Sequence, residues 1–319
     1  MPTVEREIAG KTLTIETGHL AAQANGAVTV RLGDTVTFTA VTYGPARPEF
    51  DFLPLSVEYR EKTYAAGKFP GGFFKREGRP TTKEILTSRL IDRPLRPMFP
   101  RGMRNEISVT SIVLSADEEN EPDILAVIGA SAALMLAGGP FGTPLGAVRV
   151  GRIGTEFIIN PTHTQIKISD LDLVVVGTKE DVTMVEASAN EVPDTIVREA
   201  IFFGHKAIRD IIEMQEDLLG GVEVKRFEPE LKPEDAEMEA GIREKFYSQI
   251  QEASKGDKVE RKENLDKLLE KIEAELNPEG DAGISSKIAD AFTAVEREAV
   301  REMIFSGTRM DGRSHTEIR

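Results

Sequence analysis

PDILAVIGASAALMLAGG, residues 122–139, is the stretch whose reading decides the fold. It opens on Pro122, which suits a first helical position, and closes on Gly138-Gly139, which suits a helix end. Between them Ala126, Gly129, Ala130 and Ala133 recur at three- and four-residue spacing, so one face of a helix over 122–136 is paved with small side chains. Such a face allows close approach, and predicts a sheet packed against it. The apolar run from Ile124 to Gly139 stays below the roughly 18 residues of a membrane span.

On the N-terminal side the chain alternates polar and apolar residues. Period-two patterns run over 12–17, 27–32 and 35–43, broken at Gly18, Gly33-Asp34 and Gly44-Pro45, which predicts an antiparallel meander. Another strand is expected over 107–115. On the C-terminal side strands are expected at about 146–150, 156–160, 171–177 and 181–187, and then a long helix over 193–219. Two linked layers of strands, each followed by a helix, make an α+β fold of mixed sheets with packed helices. The expected halves are about 1–143 and 144–225.

Composition shifts after Gly220-Gly221. Over 226–305 there are 21 acids and 13 bases, few β-branched residues, and helical spacing in Phe246, Ile250 and in Leu265, Leu268, Leu269, Ile272, Leu276, which predicts a separate all-α domain. The closing SGTRMDGRSHTEIR, 306–319, reads as a turn that opens a further strand.

The formal net charge of −14 disfavours nonspecific coating of nucleic acid, so any polyanion has to be met at one focused place. The stretch 68–104 is that place. Ten bases there (Lys68, Lys75, Arg76, Arg79, Lys83, Arg89, Arg93, Arg96, Arg101, Arg104) face three acids. The absence of cysteine removes disulfides, thiolate metal sites and cysteine nucleophiles, and fits a reducing compartment. The N-terminus is charged and alternating, without the apolar core of a signal peptide, so a cytoplasmic location is expected.

Within the basic stretch, Phe73, Phe74, Lys75, Arg76 and Arg79 ride on a loop bounded by Gly71-Gly72 and Gly78. Aromatic faces stack on bases while cations neutralise the adjacent phosphates, which is the chemistry of single-strand binding. Thr81 and Glu84 have capping-box spacing, and the helix that follows is expected to carry Ile85, Leu86, Leu90 and Ile91 on one apolar face until Pro94 stops it. Arg89 and Arg93 fall one turn apart on it. With Arg96 they suit phosphate contacts, and ion pairs with Asp92 or Glu84 account for them equally. Asp170 and Asp172, two apart, could hold Mg²⁺ through water, and turn acids share that pattern. The four histidines lack ligand spacing, and Gly10-Lys11-Thr12 lacks the earlier glycine of a phosphate-binding loop.

Three segments carry a family resemblance: TYAAGKFPGGFFKREGRPTTKEILTSRLIDRPLRPMFP (63–100), DILAVIGASAALMLAG (123–138) and RMDGRSHTEIR (309–319). They closely resemble the bacterial polynucleotide phosphorylase family. The resemblance implies a first RNase PH-like core over 1–225, a helical linker domain over 226–305 and the start of a second core over 306–319. It further implies phosphate-dependent 3′-to-5′ degradation of single-stranded RNA to nucleoside diphosphates, a homotrimeric ring, and Mg²⁺ with inorganic phosphate in the active sites. Phe73, Phe74, Lys75, Arg76 and Arg79 would then line the ring's aperture. Arg89, Arg93 and Arg96 would lie nearer the RNA path.

The departures are specific. Where the family's catalytic core has consecutive serines before the small-residue helix, this chain has Glu121-Pro122-Asp123. Asp172 matches one metal-site aspartate, but Ile166 and Val174 replace the other aspartate and the lysine. No catalytic residue and no metal ligand is therefore expected here, and Mg²⁺ is expected in a second core. Two alternatives stand beside this: a stand-alone phosphorolytic exoribonuclease, and a structural ring protein that binds no RNA.

Overall fold

The computed structural model describes residues 2–47, 50, 52–229, 231 and 235–318. Contacts divide the chain into two units, Met1–Lys232 and Pro233–Arg319.

In the first unit, β2 (Lys11–Thr17), β3 (Gly26–Leu32) and β4 (Thr35–Ala46) form the expected antiparallel meander, which β1 (Thr3–Ile8) extends beside β2. Two more strands, β5 (Leu55–Glu61) and β6 (Asn105–Ser115), complete a six-stranded sheet in the order β1-β2-β3-β4-β6-β5. β6 runs antiparallel to β4, and β5 lies parallel to β6 at the edge. Periodicity passes over β5 because only Leu55 and Tyr59 of LSVEYRE are buried. The crossover between the parallel strands carries α1 (Thr82–Leu95), which covers β5.

The second sheet, in the order β10-β9-β7-β8, is antiparallel throughout. Its strands are β7 (Gly146–Ile153), β8 (Glu156–Ile159), β9 (Leu171–Gly177) and β10 (Val182–Ala189), with the one-turn helix α3 (His163–Ile166) before β9. Helices α2 (Pro122–Leu136) and α4 (Asp194–Gly220) lie between the sheets. α2 touches β3 and β4 on one side and β7 on the other, and α4 touches β7 and β9 as well as β1.

This layering explains why α2 is buried around its whole circumference. The small residues do what their spacing predicts. A Cβ on Gly129 would come within 2.8 Å of the Thr39 hydroxyl, and one on Gly26 within 2.1 Å of the Ala133 carbonyl. The single hydroxyl inside α2 is satisfied: Ser131 bonds Gln215 at 2.8 Å and accepts the Leu145 N–H at 2.7 Å.

Two expectations for α1 are corrected. Pro94 does not end the helix, which runs to Leu95 and tightens into a 3₁₀ turn over Arg96–Met98, because a proline in the last turn forfeits only its own N–H. Ile85 and Leu86 are exposed. The buried face is Glu84, Thr87, Leu90, Ile91, Pro94 and Leu95, since Glu84 turns inward to take the N–H groups of Thr81 at 2.6 Å and Glu61 at 2.9 Å.

The second unit has three helices, α5 (Ala236–Ala253), α6 (Lys258–Leu276) and α7 (Ala282–Phe305), each N-capped by an aspartate: Asp235, Asp257 and Asp281. Ile242, Phe246 and Ile250 pack with Ile272, Ile288, Phe292 and Val295 in its core. Each such buried side chain contributes roughly 1.5–3 kcal/mol. The first unit extends past 225, where the composition shifts, because Phe227 packs edge-on against Tyr43 and its N–H bonds the Gly138 carbonyl. No helix among the described residues is long and apolar enough to cross a membrane.

Candidate nucleic-acid interface

The loop between β5 and α1 is held at its base and open at its tip. Glu77 accepts the Thr63 N–H at 2.9 Å and the Thr63 hydroxyl at 2.6 Å, and these bonds hold its carboxyl below the ordinary range. Arg60 donates to the Gly78 carbonyl at 3.1 Å. Gly72 (φ 77°) and Lys75 (φ 50°) turn the chain through the left-handed region, which throws the intervening residues outward.

At the tip Phe73 and Phe74 are 94% and 80% exposed and meet edge to face with centroids 5.5 Å apart. Phe69, 91% exposed, adds a third ring to the same loop. Lys75, Arg76 and Arg79 are exposed and have no ion-pair partner among the described residues. Three rings held out in water beside three unneutralised cations form a surface suited to stacking bases and pairing phosphates.

The arginines of α1 divide. Arg89 is exposed and without a partner among the described residues. Arg93 is exposed and pairs with Glu186 of β10 at 2.7 Å. Arg96 is bound into the fold: it grips Asp92 through Nε and Nη2 at 3.1 and 2.6 Å and donates to the Leu53 and Leu55 carbonyls at 2.9 and 3.1 Å. Its donors tie the end of α1 to the start of β5, so ion pairing and backbone contacts occupy Arg96 and Glu186 engages Arg93, and of the three only Arg89 has no partner among the described residues.

A cleft of about 530 Å³ lies between α1, the N-terminus of α2 and the strands β7, β9 and β10, lined in part by Lys83, Glu121, Asp123, Arg149, Asp172 and Glu186. Arg149 bridges its floor, reaching Asp123 at 2.6 Å through Nη2 and Asp172 through Nη1. Burial opposes charge on Arg149, but the two aspartates outweigh it and raise its pKa. At the rim burial likewise works against Lys83, and Glu121 and Glu61, 3.2 and 3.1 Å away, overcome it and raise the ammonium's pKa.

Asp170 is not part of this cluster; it pairs separately with Arg152 at 2.7 Å. No group of three or more His, Asp or Glu able to hold a metal occurs among the described residues. Arg149 escaped the sequence reading because Asp172 is brought to it by the register that sets Gly151 opposite Asp172 and Asp123 by the packing of α2, and no local signal encodes either.

Comparison with known proteins places this geometry. Residues 9–140 match the family described as 3′ exoribonuclease family, domain 1, and 143–207 match domain 2 of the same family. Residues 237–314 match the family described as polyribonucleotide nucleotidyltransferase, RNA binding domain. A polyribonucleotide nucleotidyltransferase of Shouchella clausii is 45% identical over 98% of this chain and 44% of the relative. One of Heliobacterium modesticaldum is 46% identical over 100% of the chain and 45% of the relative. The chain thus spans a little under half the length of these relatives.

A solved Archaeoglobus fulgidus exosome with RNA bound to the active site shares the fold, with TM-score 0.51 and 18% identity over 66% of this chain and 88% of that one. An archaeal exosome core aligns similarly, with TM-score 0.50. By these matches the chain belongs to the polyribonucleotide nucleotidyltransferases of the 3′ exoribonuclease family.

Proposed function

We propose that this chain is the RNA-gripping, noncatalytic front portion of a phosphate-dependent 3′-to-5′ exoribonuclease, and that its single-stranded RNA is held first by the loop of Phe73, Phe74, Lys75, Arg76 and Arg79. The observation that carries the reading is the loop's anchored base and free tip, with exposed rings next to cations that have no ion-pair partner among the described residues. Recognition by stacking and phosphate pairing is tolerant of sequence, as processive degradation requires.

The cleft supports the noncatalytic part of the proposal. Phosphoryl transfer needs positive charge and a metal where negative charge develops. Glu121 puts a carboxylate at the rim, and Asp123 and Asp172 already share Arg149. These residues do not fit Mg²⁺, because the Arg149 guanidinium already occupies both aspartates. Mg²⁺ and inorganic phosphate would act in a second core beyond these residues. The homotrimeric ring and the cytoplasmic location belong to the same proposal.

The test is fluorescence anisotropy with a 3′-labelled single-stranded oligonucleotide, alongside release of nucleoside diphosphate with phosphate and Mg²⁺ present. The chain is expected to bind RNA with a steep loss in salt, to bind more weakly and with a shallower salt slope as the Arg76→Glu, Arg79→Glu variant, and to release no diphosphate. Diphosphate release by this chain would move catalysis into it. Unchanged affinity in the double variant would remove the loop from the interface.

A further inference from the structure

The helical unit carries a second surface with the same chemistry. Its helices α5 and α7 run parallel, as the pairs Asp235 with Lys287 at 2.9 Å, Arg243 with Glu298 at 2.9 Å and Tyr247 with Glu302 at 2.5 Å require. α6 runs antiparallel to α5, since Lys271 bonds Gln249 at 3.2 Å while Lys245, a turn earlier on α5, meets Glu275, a turn later on α6, at 4.0 Å. The start of α6 and the end of α7 therefore share one end of the unit. Met310 is fastened to the start of α6, its carbonyl accepting the Gly256 N–H at 2.9 Å and its sulfur an Arg261 N–H at 3.2 Å.

Phe305, the last residue of α7, is 77% exposed at that end. The Arg301 guanidinium lies 5.5 Å from its ring centre. Arg297, one turn further back, is exposed as well. Spacing of four puts Arg297, Arg301 and Phe305 on one helix face, neighbours being about 5–6 Å apart. Neither arginine has a carboxylate partner among the described residues, although acids predominate in this part of the chain. The other face of the same turns is occupied: Glu298 is engaged by Arg243 and Glu302 by Tyr247.

We propose that Phe305, Arg301 and Arg297 form a stacking platform on which the helical unit takes one base of single-stranded RNA, the two guanidinium groups meeting successive phosphates. This rests on the reading that the chain binds RNA. A free aromatic face in water is costly to leave unused, and a cation held against one side of the ring leaves the other side for a base. Two unneutralised arginines on one face would need two carboxylates from a protein partner, whereas an RNA strand supplies phosphates at every nucleotide.

The chain has no tryptophan, so Phe305→Trp places a single fluorophore in the platform. Titrating the full chain carrying this change with single-stranded oligoadenylate is expected to quench its emission at the affinity measured by anisotropy. Phe305→Ala, with helicity unchanged by circular dichroism, is expected to weaken oligoadenylate binding about five- to hundredfold, and Phe305→Trp to keep it. An unquenched tryptophan on a chain that binds RNA through the loop would overturn the platform and leave the loop standing. Unchanged RNA affinity in Phe305→Ala together with altered sedimentation would assign the face to a protein contact and overturn it too. A wild-type chain that binds no oligoadenylate at all would overturn both readings.

Discussion

The Glu77 carboxylate takes both the backbone N–H and the hydroxyl of Thr63, at 2.9 and 2.6 Å, and so closes the base of the aromatic loop onto the turn that follows β5. Both bonds favour the charged carboxylate, so its folded pKa lies below the unfolded value. The contribution is then present above the unfolded pKa and is lost as pH falls through the folded one. The Thr63 amide resonance is expected to titrate with Glu77 at a midpoint below the ordinary glutamate value of 4.5. A midpoint at or above that value would show that the anchor does not form in solution.

Phe73 and Phe74 are nearly free of the fold, so replacing both with alanine should leave thermal stability within about 0.5 kcal/mol of the parent. RNA affinity should fall about five- to hundredfold for each base that loses its platform. Matched melting curves and anisotropy titrations separate the two effects. A large drop in melting temperature would identify the rings as packing residues.

Arg89 and Arg96 sit two turns apart on the same segment and should behave in opposite ways. Arg96→Ala removes four internal hydrogen bonds and is expected to lower stability by about 1–3 kcal/mol while leaving the salt dependence of RNA binding unchanged. Arg89→Ala should be neutral for folding and should reduce the slope of log affinity against log salt by about 0.7. Urea titration and a salt series on both variants decide the assignment.

Removing Arg149 leaves Asp123 and Asp172 facing one another without a counter-charge. Arg149→Met is expected to destabilise the first unit by about 3–5 kcal/mol, and the triple change Arg149→Met, Asp123→Asn, Asp172→Asn to recover much of it, because the cost is that of an unpaired buried charge. Chemical denaturation of the single and triple variants measures this. Equal losses in both would mean that Arg149 contributes packing alone.

Gly26→Ala should be far more damaging than Gly129→Ala. The new methyl at 26 meets backbone, the Ala133 carbonyl at 2.1 Å and the Ala137 nitrogen at 2.8 Å, whereas at 129 its nearest neighbours are side-chain atoms of Thr39 and Val30. Gly129→Ala is expected to cost about 1–3 kcal/mol, and Gly26→Ala to exceed it by forcing α2 off the sheet. Melting temperatures of the two variants, compared directly, test the order.

By itself the sequence determined whatever depends on neighbours along the chain. The punctuation of Pro122 and Gly138-Gly139 bounds α2, alternation marks β2 to β4, the capping box of Thr81 and Glu84 starts α1, and β9 falls at 171–177, because turns, caps and periodicity act over a few residues. The composition of the loop around Phe73 was legible for the same reason. Only the tertiary structure decided which groups remain free to act. It turned Ile85 and Leu86 outward and Glu84 inward, tied Arg96 to the Leu53 and Leu55 carbonyls, left Lys75, Arg76 and Arg79 without an ion-pair partner among the described residues, and brought Arg149 to aspartates 26 and 23 residues away. Burial and charge pairing are set by contacts between segments distant in sequence: the packing of α2 brings Asp123 to Arg149, and the register of β9 on β7 brings Asp172.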